Sequence, residues 1–159
     1  MLIAFPVALY TATVVTLLVH AGTADPFWYR VALYANIAGV VMAIVAAVPG
    51  LIDLLGVPRE SRARPTGIRH AAFNTLALVL FAISAVLLYR GGGVAAPLVL
   101  AILGLLSTLV AGALGWTLVQ KHHVGVAPAP EEELVNDGEP LQPQYPGTYQ
   151  ETFRTTIQH

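Results

Sequence analysis

Four long stretches of this chain carry no charged residue, and they constrain its fold more than any motif does. There is none from Val31 to Ile52, none from Ala71 to Tyr89, and none from Gly91 to Gln120. Uncharged apolar runs of ~18 residues or more read as membrane-spanning helices. A helix on a water-soluble domain would keep polar and apolar residues on separate faces at the helical period, and these runs do not. A fourth apolar run, from Leu2 to about His20, completes the set. Only 11% of the 159 residues are charged, against about 25% in soluble domains. The expected fold is therefore all-α, an integral membrane four-helix bundle over residues 1–126. Its helices are expected at about 2–20, 28–55, 67–90 and 94–120.

The punctuation between these runs suits hairpins. Asp25-Pro26 reads as a turn, since proline pushes the preceding residue toward extended backbone. The small residues Ala21 to Ala24 leave a cleaved signal peptide as the alternative reading of the first helix, but no basic segment precedes it and the run is long enough to span. Phe27, Trp28 and Tyr29 beside Arg30 suit a headgroup layer. Pro49-Gly50 interrupts the second helix and predicts a kink there. Gly56 to Pro65 is a polar loop, and Gly91-Gly92-Gly93 a short hairpin connection. Two helices carry faces of small residues: Ala35, Gly39, Ala43 and Ala47 on the second, and Gly104, Thr108, Ala111, Gly112 and Gly115 on the fourth. Such faces let backbones approach closely, and are expected to admit neighbouring membrane subunits.

Charge sets the orientation. With four spans, Arg59, Arg62, Arg64, Arg69 and Lys121 fall on one side of the membrane, and only Arg30 and Arg90 on the other. The positive-inside rule then predicts that the long polar loop and both termini are cytoplasmic. There is no basic stripe for nucleic acid. With no cysteine, thiolate metal sites, c-type haem attachment and cysteine nucleophiles are excluded. Residues 127–159 change character, with prolines at 128, 130, 140, 143 and 146 and acids at 131, 132, 133, 137, 139 and 151. That composition predicts a disordered or partner-bound tail, with Tyr145, Tyr149 and Phe153 as its docking aromatics.

Several segments resemble a family of bacterial four-helix membrane proteins classed as a domain of unknown function. They are Phe5-Pro6, then Asp25-Pro26-Phe27-Trp28 with Arg30, then Pro49-Gly50-Leu51 with Asp53. His70-Ala71 with Asn74 follows, and then Leu118-Val119 with His122, Val124, Gly125 and Val126. The resemblance runs in order through residues 1–126. It implies a place near redox modules, since some members occur fused or adjacent to Rieske or cytochrome proteins. Two positions depart from the family pattern. A His-Pro pair usually precedes the segment matching Met1 to Pro6, so a start upstream of Met1 is one reading. A second glycine and a glutamate often stand where this chain has Trp116 and Thr117.

Asp53, His70, Asn74 and His122 all fall toward the expected cytoplasmic face, and His70 and Asn74 share a helical face. Ionisable groups at membrane depth usually face the bundle interior and mark function. One reading makes His70 and His122 axial ligands of a b-type haem between the third and fourth helices. A variant adds Asp53 to both histidines as a two-histidine, one-carboxylate metal site. The plainer reading makes these groups interfacial anchors, with Asp53 pairing with Arg69 or His70. His20 and His123 read as interfacial. No nucleophile with its base, phosphate-cradling loop or buried acid pair is present, so the chain reads as an accessory subunit without catalysis of its own.

Overall fold

The computed structural model describes residues 4–122, apart from the side chains of Lys121 and His122. Expectations for the first three residues and for the acidic tail lie outside the described residues. Four helices make up the described chain: α1 (Ala4–Thr23), α2 (Pro26–Gly56), α3 (Ala63–Arg90) and α4 (Ala95–His122). Each is long and apolar enough to cross a bilayer. At ~1.5 Å per residue α1 is ~30 Å long, the thickness of the hydrocarbon core, while α2 reaches ~46 Å. A helix of that length must tilt or project from the bilayer.

The helix ends lie a few residues from where the sequence puts them, for reasons of capping. Asp25 is the N-cap of α2, its carboxylate accepting from the Phe27 N–H at 2.8 Å, and Pro26 takes the first helical position. α3 begins at Ala63, inside the expected loop, because Pro65 falls in its first turn. Amides there have no intrahelical acceptor, so proline costs no hydrogen bond. Ser61 serves the two amides before it: its hydroxyl accepts from Ala63 N–H (3.2 Å) and its carbonyl from Arg64 N–H (3.1 Å). α3 stops at Gly91, which takes a left-handed φ of 73° and returns its N–H to the Leu88 carbonyl. Pro49 lies within α2 without ending it. Membrane helices tolerate such residues because the freed carbonyl finds local compensation.

The helices stand in a square in chain order. α1 packs along α2 and α3 along α4, with α2–α3 and α1–α4 contacts closing the ring. The diagonal between α1 and α3 is bridged by two aromatic rings. Tyr10 and Phe81, both fully buried, lie parallel with centroids 3.6 Å apart. Each rests on a glycine of the helix behind it. A Cβ on Gly39 would stand 2.8 Å from Tyr10 Cδ1, and one on Gly104 would stand 2.8 Å from Phe81 Cδ2. The bundle centre is thus a four-layer stack: Gly39, Tyr10, Phe81, Gly104.

This changes the meaning of the small-residue faces. Gly39 and Gly104 receive side chains of this same chain, and neither is open to a neighbouring subunit. Among the small residues named, Ala47 and Gly112 are exposed. Much of the outer surface is aliphatic: Val41, Ile44, Val48, Leu103, Leu106 and Leu109 are all exposed. Such a surface suits a lipid environment and would be costly in water.

Candidate functional site

The histidine-bearing end of the bundle is built on the α3–α4 seam. His70 lies two turns into α3. Its Nδ1 is 2.8 Å from the Ala111 carbonyl of α4, and since a carbonyl only accepts, Nδ1 carries the proton. The neutral ring then presents a lone pair at Nε2, which accepts from Asn74 Nδ2 at 3.0 Å. Asn74 Nδ2 also donates to the His70 carbonyl, at 3.1 Å. The i, i+4 spacing on α3 therefore makes the pair the sequence implies. Hydrogen bonding both ring nitrogens offsets much of the cost of an imidazole at this depth.

Gly115 makes the contact across the seam feasible. The Ala111 carbonyl is the one Gly115's own N–H faces in the helix, and the imidazole has to approach it over that residue. A Cβ on Gly115 would lie 3.0 Å from His70 Cε1 and 3.2 Å from Nδ1. Glycine here is a seat for a ring, as it is at Gly39 and Gly104.

Two further side chains lace α3 to α4. Ser107 Oγ donates to the Phe73 carbonyl (2.8 Å), and Ser84 Oγ to the Pro97 carbonyl (3.0 Å). Ser84 also meets α2. Asn36, fully buried, donates its amide to Ser84 Oγ at 3.1 Å. Turned over, the same amide would donate to the Phe81 carbonyl at 3.1 Å and accept from Ser84, so either orientation ties α2 to α3. Sequence reasoning missed this pair. The signal was there: Asn36 and Ser84 each sit in the middle of an apolar stretch within a charge-free run, and polar groups at that depth need partners.

Asp53 and His122 are the remaining candidates. Asp53 is exposed near the end of α2, and among the described residues it makes no side-chain hydrogen bond, so the expected pairing with Arg69 or His70 does not form. The end of α2 is fixed instead by Leu54, whose Cδ1 rests against Gly67 of α3. His122 closes α4, and its side chain lies outside the described residues. Among the described residues no three histidines or carboxylates cluster as metal ligands. At the opposite end, His20 Nδ1 meets the Asp25 carbonyl (2.8 Å) and its ring meets Tyr29 edge-on, while Tyr29 donates to the Leu88 carbonyl at 2.6 Å. His20 is thus a strut between helix ends.

Comparison with known proteins agrees with this picture. A family model described as predicted membrane protein (DUF2231) matches residues 1–128, the whole bundle. No curated protein and no solved structure matches the chain. The family is the membrane family of unknown function that the motifs resemble, and the chain belongs to it.

Proposed function

We propose that this chain is an accessory subunit of a larger membrane assembly, seated in a bacterial plasma membrane with its Asp53–His70 end cytoplasmic. The observation that carries this reading is the state of His70. Its two ring nitrogens are bonded to the Ala111 carbonyl and to Asn74, so the best ligand candidate in the described chain serves as a clamp between helices. The other interhelical hydrogen bonds, from Tyr29, Asn36, Ser84 and Ser107, also join one helix to the next. A rigid bundle with an aliphatic exterior suits a scaffold, and the acidic, proline-rich tail suits a docking element. The family resemblance suggests a redox or respiratory setting. The test is co-purification in mild detergent. Full-length chain should elute with partner subunits, and a chain lacking residues 127–159 should elute alone. A truncated chain that stays fully associated would remove the tail from this role.

One observation favours a second reading, in which His70 and His122 hold a b-type haem, or together with Asp53 a metal ion. A ligating histidine usually donates its second ring N–H to a backbone carbonyl, and His70 Nδ1 does so to Ala111. Rotation of the Asn74 amide away from Nε2 would release that lone pair for a ligand. Bound haem would supply one-electron chemistry, and the chain's part would be to fix the imidazole's orientation and tautomer. Optical spectra of oxidised and reduced protein, with a metal assay, decide between the readings. A Soret band lost in His70→Ala supports the haem. A spectrum without one and a metal-free sample sink both variants.

A further inference from the structure

The α2–α3 connection and the first two turns of α3 gather positive charge at one end of the bundle. Arg59, Arg62 and Arg69 are exposed there, and Arg64 is half-buried with Nη1 donating to the Val57 carbonyl at 2.6 Å. The Ser61 N–H returns to the Pro58 carbonyl at 3.1 Å, which folds the loop into a turn. Leu54 lies against Gly67, so the last turn of α2 meets the second turn of α3. The neighbouring acids Asp53 and Glu60 are exposed, and neither is a hydrogen-bond partner of these arginines among the described residues. A second feature borders this charge. Leu51, Ile52 and Leu55 of α2, and Ile68 of α3, are all more than half exposed.

We propose that this surface binds the phosphate of an anionic phospholipid, with the lipid's acyl chains lying along the exposed end of α2. Guanidinium groups match phosphate oxygens in planar, bidentate geometry, and basic residues just outside a span attract anionic headgroups. A phospholipid carries both required chemistries in one molecule, the anion for the arginines and hydrocarbon for the leucine and isoleucine rim. An acidic protein segment supplies the first and leaves the rim uncovered. The proposal requires neither a partner subunit nor a cofactor, and so stands apart from both readings above.

The experiment reconstitutes the full chain in vesicles of phosphatidylcholine with a minor share of phosphatidylglycerol. The protein is then extracted in mild detergent, and its retained lipid is measured by mass spectrometry. Phosphatidylglycerol should be enriched at least about threefold over its share of the vesicle. Enrichment should fall to that share in the triple variant Arg59→Gln/Arg62→Gln/Arg69→Gln, and persist in Arg30→Gln/Arg90→Gln at the opposite end. If the triple variant fails to fold by circular dichroism, Arg59→Gln and Arg69→Gln alone should each lower the enrichment. Bulk composition on the wild-type chain, or equal loss in the Arg30/Arg90 variant, overturns the proposal. So does tight binding of an acidic peptide without lipid enrichment, which would assign the surface to a protein partner.

Discussion

At the scale of single residues, glycines divide by what stands above them. Gly104→Ala should push a methyl into the Phe81 ring, 2.8 Å away, and through it disturb Tyr10. Overpacking of this kind costs about 1–3 kcal/mol. Gly112→Ala has nothing within 4 Å to meet and should stay within about 0.5 kcal/mol, or gain slightly from helix propensity. Thermal unfolding in detergent compares the two, and equal effects would refute the stacked core. His70 invites a finer test. His70→Ala removes the donor to Ala111 and should lower stability by about 1 kcal/mol. His70→Asn places an amide nitrogen where Nδ1 stood and should recover much of that loss. If asparagine is as damaging as alanine, the ring fills space and the hydrogen bond contributes little.

At the scale of elements, the α3–α4 hairpin is the most heavily laced part of the bundle. Ser84, Ser107 and His70 each join a helix to a carbonyl of its partner, at successive levels of the seam. α2 joins this hairpin through Asn36 and Tyr29. A double-mutant cycle on Asn36→Ala and Ser84→Ala should return a coupling of about 0.6 kcal/mol, and at most about 1.7. A coupling near zero would mean that the alternative bond to Phe81 carries the load. Some of this was legible in the sequence. The spacing of His70 and Asn74 implied a shared face, and they do bond. What His70 does with its other nitrogen was not legible, because the acceptor is a main-chain carbonyl 41 residues away, and backbone carries no residue-type signal.

At the scale of the whole molecule, the bundle turns its aliphatic surface outward, and Trp116 stands 68% exposed on α4. In bilayers containing lipids brominated near the headgroup, Trp116 emission should be quenched more strongly than that of half-buried Trp28, as judged by Trp→Phe variants of each. Quenching absent from Trp116 would place that face of α4 against protein. The charge-free runs by themselves determined four spanning helices, because a helix without water must be apolar along its length whatever its neighbours are. The turn residues set the ends to within a few positions; the early start of α3 escaped because a proline reads as a breaker, yet is harmless in a first turn. Only the tertiary structure decided which way each helix faces. Apolar residues cover all sides of a membrane helix, so no periodic stripe marks the inside. The glycines looked like places for another helix, and three-dimensional packing gave them to Tyr10, Phe81 and His70. Choosing between a backbone and a ring as the occupant depends on the distance between helices, which a linear sequence does not contain.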